Sequence, residues 1–498
     1  MNYPIGIIVV IIACIGYWFA WNRFNANRIG LSILLLTLLG LLLRIYVSGD
    51  MELHLWDERY HALVAKRLIQ HPLVPTLYDN PLLPYDFQNW TANHIWIHKQ
   101  PLPLWTIAGS LSVFGINEFA VRIPSILLTT LGIVLMYQIG RQLFNQKIGF
   151  LAAFLFSIHG LIVEVTGARV PTDHIDIFFL IFVQLAVLMA IQFADKKKIL
   201  YNILCGVFIG AAILSKWLPA LIVLPLWLLL VLNKKTFSWK EIGTQAILLG
   251  ITVVIVALPW QLYIHQAFPL EDLWESSFNK KHFTDVLDEQ GGPFYYHFDQ
   301  MRMAFGELIY LPLLWLIYRL FKDRRNLKYW VLILWIFVPY LFFSFAQTKM
   351  QGYTLFTAPA LFLVTALFWQ YLSEIKDQFK PKWLIQLTLF LLIALPIRYS
   401  FERIKPFNTS EHNPQWVKDI KSLGEKTKGK NGVLFNTDHP IEVMFYTDMV
   451  AYKEIPEIHV MKKLSDSGYT IYIIDKDGFP KEISEGSGFT VASSITSK

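Results

Sequence analysis

Trp56-Asp57-Glu58-Arg59-Tyr60 follows closely on a hydrophobic run, Ile29 to Val47. That run is long enough to cross a bilayer as a helix. Two adjacent carboxylates just past its end sit where charge is expensive, and charge in such a place tends to mark function. Reading Ile29–Val47 as a membrane span decides the rest of the chain. The polar stretch after it becomes an outer loop, and the apolar runs downstream become further spans.

Composition agrees. Of 498 residues, 54% are hydrophobic and 16% charged, a balance that excludes an ordinary soluble domain. The mean hydropathy is +0.42. The net charge of +7 is no nucleic-acid footprint, because much of the Lys and Arg sits in short loops between apolar runs, where it sets topology. Cys14 and Cys205 both lie within apolar runs, so no disulfide framework is expected. The first run, Pro4 to Trp21, lacks a basic leader and reads as a retained helix, not a signal peptide.

Taken in order, the spans are Pro4–Trp21, Ile29–Val47, Ile123–Phe144, Ile148–Val165, Ile175–Ala194, Ile199–Leu214 and Leu218–Leu232. Ile242–Ile264, Met301–Leu320, Trp330–Phe345, Leu355–Leu372 and Trp383–Ile397 complete them. Loops dense in Lys and Arg alternate with long loops, which places the basic loops inside and both termini outside, with roughly twelve to thirteen spans. The fold expected is an all-α polytopic membrane body over residues 1–400, with outer loops at 49–122 and 265–300. Leu102–Phe114 is too short to span and reads as an interfacial helix. Glu58–Ile69 has helical apolar spacing and is expected to lie along the membrane surface. Residues 401–498 are polar, with strand-like runs at Gly432–Asn436, Val450–Lys453 and Tyr469–Ile474 and a helix-like Pro440–Tyr446. They read as a small external α/β domain.

The candidate polar groups collect on the outer side. Asp57 and Glu58 open the first outer loop, and His98-Lys99-Gln100-Pro101 lies near its end. Arg169, Asp173, His174 and Asp176 follow, then Lys216, then Lys349 with Tyr353. Cations far apart in sequence but gathered at one depth suit an anion whose tail lies in the bilayer, such as a lipid phosphate. Moving a sugar from a polyprenyl phosphate to a hydroxyl would need a base for the acceptor proton and fixed positive charge for the departing phosphate. Asp57 can supply the first, Lys99 and Arg169 the second. There is no Walker-type or Rossmann glycine motif.

At these positions the chain resembles the GT-C membrane glycosyltransferases, in particular the lipid A aminoarabinose transferases and protein O-mannosyltransferases. Trp56-Asp57-Glu58-Arg59-Tyr60-His61-Ala62 resembles their acidic opening of the first outer loop. His98-Lys99-Gln100-Pro101-Leu102-Pro103-Leu104-Trp105 is similar to Lys-Pro-Pro-Leu-x-x-Trp, with Gln100 where a proline is usual. Phe114-Gly115 through Arg122-Ile123-Pro124-Ser125 is similar to a Phe-Gly…Arg-Leu-Pro-Ser continuation. Ala168-Arg169 with Thr172-Asp173, Ser215-Lys216, Leu258-Pro259-Trp260 and Lys349-Met350-Gln351-Gly352-Tyr353 match in kind and order. The resemblance covers roughly residues 29–372. It implies inverting transfer of a sugar from a polyprenyl-phosphate donor to a lipid, glycan or protein acceptor, at the outer face of a bacterial inner membrane. Asp57 would be the base, helped by Glu58. Lys99, Arg169, Lys216, Lys349 and Tyr353 would hold the donor phosphate, with Arg59, Tyr60 and Asp173 shaping the site. Some relatives hold a divalent metal between the residue before that Lys and a later His, which here would be His98 with His282 or His297. Gln290 stands where those relatives carry Glu-Gly-His-Gly-Gly.

Blander readings accompany each residue. Asp57 could simply favour the start of a helix, Glu58 its N-terminal charge, and Lys99 and Lys216 could be snorkelling anchors. Arg169 could pair with Asp173. Trp56, Trp90, Trp96 and Trp105 read as interfacial anchors. The competing function is a lipid or sugar transporter, for which repeat symmetry and broken midplane helices would be the signature.

Overall fold

The computed structural model describes residues 3–170, 174–378, 380–408, 412–475 and 490–492. The helices, in order, begin with α1 (Tyr3–Asn25) and α2 (Ile29–Val47), a hairpin turning at Asn27. Then come α3 (Asp57–Leu68), α4 (Pro101–Phe114), α5 (Glu118–Leu143), α6 (Gln146–Ile158), α7 (Gly160–Thr166), α8 (Asp176–Lys196), α9 (Ile199–Lys216), α10 (Val223–Lys234) and α11 (Trp239–Ala267). The series continues with α12 (Pro269–Thr284), α13 (Tyr296–Phe305), α14 (Tyr310–Lys322), α15 (Leu327–Phe345), α16 (Ala358–Ile375) and α17 (Lys382–Ile404). The last segment holds α18 (Gln415–Thr427), β1 (Gly432–Phe435), α19 (Pro440–Tyr446), β2 (Val450–Ala451), α20 (Ile458–Asp466), β3 (Thr470–Ile474) and β4 (Thr490–Ala492).

Local chemistry starts these helices where they start. Asn117 and Asn145 accept the backbone N–H of Ala120 and Ile148 at the heads of α5 and α6. Ser238 and Glu241 form a reciprocal cap on α11. The core of the membrane body is one apolar cluster dominated by α5, α6, α8, α9, α15 and α16. Outward faces stay apolar: Ile8, Ile11, Ile15 and Trp18 of α1, and Leu384, Leu387 and Phe390 of α17, are exposed. That is the pattern of helices that face lipid.

Among the described residues nine helices are long and apolar enough to cross a membrane, or eleven if two bent pairs each count as one span. Of the twelve runs expected to span, Leu218–Leu232 is the one outside that count. Ile148–Val165 bends by 51° between α6 and α7, where His159 caps the second helix by accepting the Ile162 N–H. Met301–Leu320 is broken by 117° at Gly306, whose φ of +94° suits glycine. Leu218–Leu232 becomes a 3-10 turn followed by the short α10.

Residues from Gln415 on build a parallel sheet in the order β2-β1-β3-β4, with Leu434 opposite Tyr472 and Ala451. β1, β2, β3 and α19 fall where the sequence placed them, and β4 (Thr490–Ala492) adds a strand it did not anticipate. The larger departure concerns α3. Its apolar face meets protein on both sides. Ala62, Leu63, Val64 and Ala65 are fully buried, because α4 covers one side of the helix and α19 the other. One apolar cluster runs from Leu63 and Trp96 of the first long loop to Trp416, Met444 and Tyr472 of the C-terminal segment. Trp96 is thus a core residue, fully buried, not an interfacial anchor.

Candidate active site

Asp57 is the first residue of α3, half-buried, with no hydrogen bond or ion pair among the described residues. A helix advances 3.6 residues per turn, so Asp57 and His61 share a face. His61 is fully buried, and its Nδ1 lies 3.1 Å from Nδ1 of His174. The edge of its ring meets Trp96, which in turn meets His98. Two residues past His174, Asp176 forms an ion pair with Lys216. The Lys216 Nζ sits 5.0 Å over the ring of Tyr353.

His98 stacks flat on Trp90 at 4.7 Å and hydrogen-bonds Glu275 at 3.1 Å and 3.2 Å. Glu275 and His282 are seven residues apart on α12 and so share a face. Burial, reinforced by the positive charges of Lys99, His98 and Lys216, pushes His282 below its usual value. The loop before α4, through His98 and Lys99, and the end of α9, through Lys216, therefore both act on one imidazole. The backbone behind this cluster is tied: Thr348 donates to the His282 carbonyl (3.0 Å) and Lys349 to that of Gln290 (2.7 Å). Gln100, at its departure from the usual proline, accepts from Gln261 of α11 at 2.8 Å.

Other residues of the predicted set go elsewhere. Glu58 is buried, its carboxylate bound by Arg122 at 2.6 Å and 3.0 Å and by His54 at 2.6 Å. Burial alone would raise Glu58, but the Arg122 guanidinium and His54 prevail and hold it well below the usual carboxylate range. Arg169 forks onto Asp50 (2.7 Å and 3.0 Å). Asp50 also bonds His54 and His412. Arg122, itself fully buried, donates further to the carbonyls of Ser48, Asp50 and Glu52. Lys349 is buried and caps the end of α15 through the carbonyls of Ser344 and Ala346. Arg59 turns away from the Asp57 face and bonds Glu442 at 3.2 Å, while the Tyr60 ring packs on Trp90 at 5.0 Å. Asp173 lies outside the described residues.

Among the described residues no group of three or more His, Cys, Asp or Glu side chains is placed to hold a metal ion. His98 has Glu275 as its acidic partner, and His282 turns its Nδ1 to the Phe278 carbonyl at 3.3 Å.

Comparison with solved structures now bears on the fold. ArnT from Cupriavidus metallidurans in the apo state superposes with a TM-score of 0.59 over 91% of this chain and 93% of that one, at 14% identity. The archaeal oligosaccharyltransferase AglB from Archaeoglobus fulgidus gives 0.56 over 84% and 64%, also at 14%. The chain has a GT-C fold. The sequence pattern of the dolichyl-phosphate-mannose-protein mannosyltransferase family matches residues 98–260. Two curated relatives are undecaprenyl phosphate-alpha-4-amino-4-deoxy-L-arabinose arabinosyl transferases. The protein from Pseudomonas fluorescens (strain Pf0-1) is 27% identical over 58% of this chain, and that from Pseudomonas aeruginosa (strain UCBPP-PA14) 28% over 53%. The matched region spans about half the length of each relative. Within this GT-C fold, Lys99, Lys216 and Leu258-Pro259-Trp260 all fall in the matched stretch, whereas Asp57 and Tyr353 lie outside it.

Sequence reasoning missed Asp50, His54, His61, Arg122 and Glu275. Arg122 was visible within the Phe114–Ser125 pattern but carried no chemical signal of its own. Asp50, His54 and Glu58 stand at four-residue intervals, a spacing that could have drawn attention.

Proposed function

We propose that this protein is an integral membrane glycosyltransferase that moves a sugar from a polyprenyl-phosphate donor to a lipid, glycan or protein acceptor. The reaction takes place at the outer face of a bacterial inner membrane. The observation that carries this reading is a chain of contacts: His98 meets Phe278 and Phe278 meets His282, each at 5.4 Å, and His98 is linked through Trp96, His61 and His174 to the Asp57 face of α3, with Lys216 on Asp176 two residues beyond His174. In support, a structure of ArnT bound to undecaprenyl phosphate shares the fold.

In this reading Asp57 takes the acceptor's hydroxyl proton as its oxygen attacks the anomeric carbon. The bond from that carbon to the phosphate oxygen breaks, with inversion. Lys99 and Lys216 stabilise the departing polyprenyl phosphate, and Tyr353 lines the groove beside Lys216. Glu58 and Arg169, both bound in ion pairs, act as supports for the loop that carries Asp57. Lys349, bound to backbone carbonyls, supports the second outer loop. The test is transfer of radiolabel from a polyprenyl-phosphate sugar by the purified chain in lipid nanodiscs. Wild type should transfer label and Asp57→Asn should not. Equal transfer by both would end the proposal.

A further inference from the structure

The reading above leaves the C-terminal segment without a task, yet α3 is fastened to it at both ends. At the start of α3, Arg59 donates to Glu442 of α19 at 3.2 Å. At its end, the Lys66 ammonium donates to the carbonyls of Met444, Phe445 and Thr447 at 2.8–2.9 Å, which closes the C-terminus of α19. Arg59 and Lys66 are seven residues apart, two helical turns, so they form one stripe. Asp57 is two residues from Arg59, about 200° around the axis, and faces the other way. One side of α3 is gripped and the opposite side presents the carboxylate.

The grip is built on a buried charge. Glu442 is fully buried, and its second oxygen has no hydrogen-bond partner. A buried carboxylate is tolerated only with a partner held close, and Arg59 is the one within hydrogen-bonding distance. His439 stands 4.0 Å from the bonded oxygen and is stacked flat against Trp416 at 4.0 Å. Arg59 is fixed in turn by the Tyr60 hydroxyl at 3.2 Å. Rotation of α3 about its axis would break the Arg59–Glu442 pair.

We propose that Glu442 is a positioning residue for the transfer reaction. By holding Arg59 it sets the rotation of the first turn of α3 and so aims Asp57, making the C-terminal segment part of the active site. This rests on the glycosyltransferase reading. Lys66 lies at the far end of α3, so its loss should loosen the same interface without turning the first turn.

The test compares Glu442→Gln, Arg59→Gln, their double variant and Lys66→Met as full chains in nanodiscs. Turnover is expressed per folded molecule, with the KM for the polyprenyl-phosphate sugar measured alongside. Glu442→Gln is expected to lower kcat about tenfold or more, since an ångström of misplacement suffices for that. KM should stay put, because Lys99 and Lys216 lie on other elements. The double variant should be no worse than the worse single one, and Lys66→Met should lose thermal stability but keep kcat. A second arm needs no chemistry: in a Cys14→Ser background, Asp57→Cys is labelled by a water-soluble maleimide with and without Glu442→Gln. The labelling rate should change several-fold. An unchanged rate, or equal loss of kcat in Lys66→Met and Glu442→Gln, overturns the proposal. If wild type transfers no sugar, the glycosyltransferase reading fails while the labelling arm still decides whether Glu442 orients α3.

Discussion

Two groups of charges draw on opposite ends of the first long loop, and they are built on different plans, one a closed network and the other a set of separate pairs around an imidazole. In the joint, Asp50, His54, Glu58, Arg122, Arg169 and His412 interlock so that each charge meets its opposite. In the cluster around His282, His98 pairs with Glu275 and Lys216 with Asp176, and the charges of Lys99, His98 and Lys216 reinforce burial in holding the imidazole below its usual value. A matched network makes a rigid connection, and breaking one member exposes the cost of the rest. A crowding of positive charge raises the potential where an anion can be received. Residue type alone does not separate the two: Arg169 reads as a phosphate ligand in the sequence until its fork onto Asp50 is seen.

The sharpest way to break this contrast is to remove the base. Asp57→Asn should cut label transfer by about a thousandfold, the scale of a lost general base, while thermal unfolding stays near wild type because Asp57 pairs with no described residue. Next in size is the joint. Arg122→Met leaves the Glu58 carboxylate buried with only His54, and a loss of about 3–5 kcal/mol in stability is expected. Thermal unfolding in detergent measures it, and the surviving folded fraction should keep its donor KM. Lys99→Met should do the reverse. Stability should hold, and kcat/KM for the donor should fall roughly ten- to a hundredfold, most of it in KM if the ground state is bound there. If Arg169→Met matched that kinetic pattern instead of the Arg122→Met pattern, the division into joint and pocket would be wrong.

The smallest effect is one of pH. Burial works against the charge of His54, but Glu58 and Asp50 outweigh burial and Arg122, so its folded value is raised. Glu52 lies near as well. A raised histidine contributes stability that is fully present below its unfolded value of about 6.5 and is lost as pH rises through the folded value. Glu58 and Asp50 are depressed, so their contribution is lost only in acid and is constant above neutrality. Melting temperature should therefore fall on the alkaline side in wild type. His54→Gln should lack that slope.

The membrane body was legible because apolar runs and basic loops are local signals. Where a run was interrupted by one residue, His159 or Gly306, hydropathy smoothed over the break, and at Leu218–Leu232 it gave a full span where a 3-10 turn precedes the short α10. The strands of the C-terminal sheet were legible for the same local reason. The depth of α3 was not. Its apolar positions at 62 to 65 suit either a lipid surface or a protein partner, and that partner, α19, is specified hundreds of residues later. At the site, Asp57, Lys99, Lys216 and His98 could be singled out because charge among apolar residues is conspicuous. His61 and Glu275 could not, since their meaning depends on His174 and His98, with which they share no sequence neighbourhood.

The seating of α3 has a consequence for biosynthesis. Lys66 must wait 378 residues for the carbonyl of Met444, on the order of half a minute at ordinary ribosomal speeds. Through that interval the nascent chain holds an amphipathic helix with one flank bare. A chain halted before Pro440, where α19 begins, would insert its membrane helices by local signals alone, yet leave Asp57 on an unmounted segment.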